Sequence, residues 1–223
     1  MQTNWIVRTV ASLLLFAGVS PSCLSPAHAE RMSFSLTSAH GVEGCSKTCS
    51  TIVLADGQID NTSPDRFEAL VRYLLGPSPK GLTILIQSPG GYVIAAAKLS
   101  LLFRKYDATV VVASAGAMNL RSRKIGIGPA MCISACVYAF MGGRKRVVPA
   151  SGSLVLHRSY ADGSWFRGRE YDNDFVRQYI QAYAKSMGVA TAPIAYAERL
   201  PPSHVQPLTR AQIRVWNLGT AGF

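Results

Sequence analysis

The sequence predicts an α/β fold with a mostly parallel sheet, and three observations carry that prediction. Apolar runs of strand length alternate with segments of helical period along the first two thirds of the chain. Two of those runs, LTILI at 82–86 and TVVV at 109–112, are almost wholly apolar, which suits strands buried on both faces. The helical segments fall between the strands, as right-handed β-α-β crossovers require.

The first strand is 51–54 (TIVL), ended by an Asp56-Gly57 turn. A helix follows, with Ser63 as N-cap, Pro64 at N1 and Asp65 in the first turn. Phe67, Leu70, Val71 and Leu74 form its apolar stripe, and Gly76-Pro77 stops it. The strand 82–86 runs into Ser88-Pro89-Gly90-Gly91, after which a helix spans about 93–104. A Gly-rich loop separates 109–112 from a helix over about 134–140, and 145–148 and 153–156 read as two short strands. A long polar-faced helix covers 170–187. There Tyr171, Phe175, Tyr179 and Tyr183 recur at spacing four beside Val176 and Ile180, a packing stripe suited to an assembly contact. Helices near 193–199 and 209–216 finish the chain.

The chain has 223 residues, and its start reads as an export signal. Residues 10–19 form an apolar core too short to span a bilayer, and Ala27-His28-Ala29 places small residues where a signal peptidase cuts. Cleavage is expected after Ala29, leaving 30–223 as one domain in the periplasm or outside the cell, with no transmembrane segment. Lys and Arg number 23 against 12 Asp and Glu, a net charge of +11. That balance suits envelope polymers, anionic lipid heads or an acidic substrate, and equally a basic soluble surface. The basic clusters 121–124 and 144–146 lack interleaved aromatics, which argues against nucleic acid. Beyond the signal the cysteines are Cys45, Cys49, Cys132 and Cys136. An even number in an exported chain suggests disulfides, in any of three connectivities; two C-x3-C pairs holding zinc is the alternative.

Three features bear chemistry. The Gly90-Gly91 turn follows a buried strand and precedes a helix, where ligands of open α/β sheets sit and where backbone N–H groups can hold an oxyanion. It is equally a tight turn without a ligand. Ser134, centred in CISAC at a helix start, is either an N-cap or a nucleophile with a base in reach. His157 ends the strand-like SLVLH; beyond the signal only His40 and His204 accompany it, and neither ends a predicted core strand.

Taken in order, SPGG, then SAC at a helix start, then GGRKRVVPASGSLVLH resembles the Clp-protease-like serine peptidases of the crotonase-type superfamily, in an exported branch with a C-x-SAC motif. The resemblance covers about residues 52–157, with a looser match beyond. It implies a fold of repeated β-β-α/β-α-β units wound as a spiral. It makes Ser134 the nucleophile, His157 the general base, and the backbone N–H groups of Gly91, beside Gly90, and Ala135 the oxyanion hole. It further implies a homo-oligomer acting on peptides or unfolded protein with neither metal nor organic cofactor. No G-x-x-x-x-G-K-[ST] motif is present, so the peptidase would act without ATP. A non-catalytic module binding peptides or anionic envelope polymers is the second reading. Crotonase-type thioester chemistry is a third, though coenzyme-A esters are not expected outside the cytoplasm.

The sequence departs from that family in three places. Where the family has its triad aspartate, this chain has Pro201; Glu198 is the nearest carboxylate, and Asp172 and Asp174 fall on the long helix. The stretch 115–131 is an expanded, basic, Gly-rich loop, read as a flexible lid or a plain insertion. The third departure is the cysteine bracket. Residues four apart in a helix lie about 6 Å apart, within reach of a disulfide. Local pairs, Cys132–Cys136 stapling the nucleophile turn and Cys45–Cys49 clipping the chain before the first strand, compete with a cross-pairing of the two motifs.

Overall fold

The computed structural model describes residues 30–45, 51–158, 174–201 and 203–219, with backbone alone for 174–176. The expected signal, Cys49, Tyr171 and Asp172 lie outside these residues. In chain order the elements are β1 (Ser33–Leu36), β2 (Gly41–Val42), β3 (Thr51–Asp56), α1 (Ser63–Leu75), β4 (Leu82–Gln87), α2 (Val93–Lys105), β5 (Thr109–Val112), β6 (Ser114–Asn119), β7 (Lys124–Gly128), β8 (Ala130–Ile133), α3 (Ala135–Met141), β9 (Lys145–Val147), β10 (Gly152–His157), α4 (Asp174–Ser186), α5 (Ala192–Glu198), β11 (Val205–Pro207) and α6 (Arg210–Val215).

The central sheet has the order β1-β3-β4-β5-β9. β3, β4, β5 and β9 run parallel, and β1 pairs antiparallel to β3 at one edge. The fold is therefore the mostly parallel α/β class that the apolar runs predict. Strand alternation explains why those runs are apolar throughout. Val53, Ile84, Ile86, Val110 and Val112 face the helix-side core, where Phe67 of α1 stacks edge-on against Phe103 at 5.0 Å and Phe34 at 5.3 Å. Ile52, Leu85, Val111 and Val147 point the other way, into a second cluster with Val42 and Ile125.

That second cluster is covered by a small sheet of order β2-β7-β6, which corrects the reading of 115–131 as a flexible loop. Most of the stretch is a hairpin, β6 against β7, with Asn119 opposite Lys124. Asn119 Oδ1 shapes its turn by accepting from the N–H groups of Arg121 and Ser122, each at 3.0 Å. Glycines 116, 126 and 128 read as loop residues in sequence, yet here they permit close packing of paired strands: a Cβ on Gly128 would stand 2.5 Å from Ser114 Oγ.

Two helices also differ from expectation. Ser63 is the first residue of α1 and Thr62 its N-cap, without a side-chain capping bond. Asp60 does the capping work instead. Its Oδ1 accepts from Thr62 N–H at 2.9 Å and from the Ser63 hydroxyl at 3.2 Å. On α4 the tyrosine stripe divides, because Tyr179 is exposed and Tyr183 buried; the inward face is Ile180, Tyr183, Ala184 and Met187. Spacing four overruns the 3.6-residue turn, so residues so spaced drift off one face.

The buried Arg146 ties the C-terminal segment to the sheet. Its Nε donates to Leu218 O at 2.8 Å, while Nη1 and Nη2 donate to Gly143 O at 3.0 Å and Asn217 O at 2.9 Å. Burial, with Arg104 nearby, lowers its pKa to about 10. Among the described residues no helix is long and apolar enough to cross a membrane.

Candidate active site

Three chain segments meet at the carboxyl ends of β4, β8 and β10. The end of β4 joins β8 through Ser88 N–H to Met131 O and Ile133 N–H to Ser88 O, both 3.0 Å. β8 pairs in parallel with β10, Ile133 beside Val155, and Ser134 N–H donates to Val155 O at 2.8 Å. The Gly90-Gly91 turn, Ser134 and the strand ending in His157 are thus neighbours, although far apart in sequence.

Ser134 is the N-cap of α3 by position, but its side chain makes no capping bond. Its backbone sits at φ 55° and ψ −121°. Side chains rarely adopt that region, and holding a residue there costs about 1–3 kcal/mol. A strand passing straight into a helix through a serine at positive φ has the shape of a nucleophile elbow, in which a sharp turn leaves the hydroxyl exposed.

Several contacts hold the elbow. Cys132 and Cys136 are disulfide-bonded to each other, with Cα atoms 5.2 Å apart, and both are fully buried. This excludes cross-pairing through the helix start and removes two thiolates from any zinc set. Cys45 is also disulfide-bonded, to a partner outside the described residues. Gly90, at φ 101°, lies against the elbow: a Cβ there would stand 2.7 Å from Ile133 O and 3.0 Å from Ser134 Cβ. Glycine is required on both counts. The buried Ser88 Oγ folds the turn by accepting from Gly90 N–H at 3.1 Å.

The turn is braced from behind by Ile59. Its N–H donates to Gly90 O at 2.7 Å, and its carbonyl accepts from Tyr92 N–H at 3.0 Å. A Cβ on Gly91 would stand 2.0 Å from that same carbonyl. The bridge uses the groups flanking Gly91 and leaves out its own N–H. Neither Gly91 N–H nor Ala135 N–H has a hydrogen-bond partner among the described residues. Next to Ile59, Asp60 bonds Thr62, Ser63 and Arg66. Burial raises the Asp60 pKa, but hydrogen bonds from Thr62 and Arg66 outweigh it and hold the carboxyl at about 2.

His157 ends β10, half-buried, with Nδ1 2.6 Å from the carbonyl oxygen of Arg158. A carbonyl only accepts, so Nδ1 is the donor in this contact. In a Ser-His-Asp triad a carboxylate takes that N–H. Here the main chain takes it, a role no residue-type reading of the sequence could reveal. Glu198 closes α5, which packs on β10, and is half-buried. Pro201, at the expected aspartate position, is exposed. Among the described residues no hydrogen bond joins Ser134 to His157. Among the described residues no cluster of His, Cys, Asp and Glu gathers that could hold a metal.

The fold and this strand-end site define a mostly parallel α/β protein with an elbow serine. Among solved structures, the chain is similar to a ClpP1 mutant from Listeria monocytogenes, with a TM-score of 0.45 and 16% identity over 75% of this chain and 88% of that one. No protein-family model and no curated protein matches the sequence.

Proposed function

We propose that the protein is an exported serine hydrolase, an ATP-independent peptidase that works through Ser134 and His157. The observation that carries this reading is the backbone of Ser134, held at positive φ between a strand and a helix with its hydroxyl not spent on capping. Strain of that kind persists only where the surroundings enforce it, and here the disulfide, Gly90 and Val155 do so. Nε2 of His157 takes the Ser134 proton as Oγ attacks a peptide carbonyl. The N–H groups of Gly91 and Ala135 receive the oxyanion. His157 returns the proton to the leaving amine, and water then releases the acyl group by the same route. The Arg158 carbonyl supports the ring orientation, with Glu198 the candidate acid for the imidazolium. Export, with cleavage after Ala29, fits a chain that relies on disulfides. A homo-oligomer belongs to the same reading and is measured by light scattering.

The test is labelling by a fluorophosphonate probe of the chain expressed with its own leader and purified from the periplasm. Labelling that is lost in both Ser134→Ala and His157→Ala supports the reading, as does an N-terminus at Glu30. No labelling of folded, oxidised protein overturns it. The absent Ser134–His157 hydrogen bond then favours a binding module that uses the same backbone N–H groups.

A further inference from the structure

Beside the elbow lies a cleft of about 490 Å³, lined by Gln87 at the end of β4, Pro89 of the turn, Met131 and Ile133 of β8, Ser151 just before β10 and Ser153 within it. These are the three segments that carry the reactive groups. Strand alternation fixes which way the cleft faces. Leu154 and Leu156 enter the main core, so Ser153, Val155 and His157 turn to the opposite side of β10. Cys132 likewise enters the core, so Met131 and Ile133 turn away from it. Parallel pairing sets Ser153 beside Met131 and Val155 beside Ile133, so both strands present these residues on one face. The cleft therefore lies on the His157 face of the sheet and runs along β8 toward Ser134.

Its chemistry is as distinct as its position. In a chain of net charge +11, no charged side chain lines it among the described residues. Methionine, isoleucine and proline supply apolar surface, with serine hydroxyls and one amide among them. Met131 is 55% exposed at the rim. An uncharged group entering gains by shedding water, whereas a carboxylate or ammonium would lose hydration and find no counter-charge. The volume falls within the range of small-molecule sites and exceeds one side chain.

We infer that this cleft is the substrate subsite, taking an uncharged, apolar segment of a peptide beside the bond presented to Ser134. The inference rests on the hydrolase reading for its substrate. It sets apolar peptides against the anionic polymers that net charge alone would suggest. Met131 and Ser153 are its specificity-determining side chains.

The experiment is an NMR titration of the Ser134→Ala full chain, as purified, with three capped tripeptides, acetyl-Ala-X-Ala-amide with X as Leu, Glu or Lys. The Leu peptide is expected to bind about tenfold tighter than either charged one. Met131→Trp fills the rim and weakens the Leu peptide about fivefold or more. Ser153→Asp strengthens the Lys peptide about fivefold, a gain that misfolding cannot mimic. Equal binding of all three, no binding of the Leu peptide, or indifference to both substitutions overturns the inference. Labelling of the wild type is a separate readout. Labelling together with cleft-independent binding removes this subsite alone, and cleft-dependent binding without labelling removes the hydrolase while the cleft stands.

Discussion

Two serines open helices after strands in this protein, and they have opposite fates. Ser63, at the start of α1, is fully buried; its hydroxyl accepts from Asp60 N–H at 3.0 Å and donates to Asp60 Oδ1 at 3.2 Å. Ser134, at the start of α3, sits at φ 55° and its hydroxyl caps nothing. Both stand at a helix start, Ser134 at the N-cap position and Ser63 one residue inside it. What separates them is what lies across from them. Ser63 meets an aspartate three residues away on its own chain segment, while Ser134 meets a glycine turn, a neighbouring strand and a disulfide that straddles it. A serine engaged by its own loop is architecture, and one forced out of its loop is available for chemistry.

The two serines differ most at the hydroxyl itself. Ser134→Ala is expected to cut fluorophosphonate labelling by about a thousandfold or more, since no nucleophile remains. Ser63→Ala is expected to leave labelling in place and lower stability by about 1–2 kcal/mol, read as a fall in Tm. Labelling that survives in Ser134→Ala, or vanishes in Ser63→Ala, reverses the assignment.

The supports of the elbow come next. Gly90→Ala forces a Cβ to within 2.7 Å of Ile133 O at φ 101°. A loss of about 2–4 kcal/mol and a tenfold or greater fall in labelling rate are expected in denaturant melts and probe kinetics. Replacing Cys132 and Cys136 together by alanine frees a short loop and removes buried sulfur, for a loss of about 2–4 kcal/mol. Because both cysteines are fully buried, dithiothreitol without denaturant should leave native labelling unchanged; a rapid fall would show that the bracket opens.

Acid tests the other serine. The Asp60 pKa is about 2 in the folded chain against 3.8 for the free group. A depressed folded value means that its contribution is complete above the unfolded pKa and is lost as pH falls from about 4 toward 2. Asp60→Asn should flatten that limb of a Tm-versus-pH curve and bring the two proteins together at the lowest pH. A parallel offset at every pH would mean that the carboxylate charge is not what braces Ser63 and the turn beyond Ile59.

The smallest effect has the opposite sign. Ser134→Gly relieves the positive φ and should raise Tm by about 2–4 °C while abolishing labelling. Ser63→Gly should lower Tm, because an ordinary helical residue gains flexibility and loses its bonds. A fall in both variants would mean that the elbow stores no strain.

Elements that depend on local period and two-sided burial were legible in residue order alone. The runs 82–86 and 109–112 announced buried parallel strands because each of their faces meets a different apolar layer. The SPGG turn, Ser134 and His157 were legible as candidates because strand ends and helix starts leave marks in residue type. Tertiary structure decided the rest. The glycines of 115–131 looked like loop residues, yet strand pairing against a sheet face made a hairpin of them, since a missing Cβ serves close packing as readily as it serves a turn. The Arg158 carbonyl beside His157 has no signature in residue type, because every residue carries the same main chain. The Gly90 turn and β10, which hold Ser134 away from its own loop, come from elsewhere in the chain, and side-chain periodicity carries no record of them.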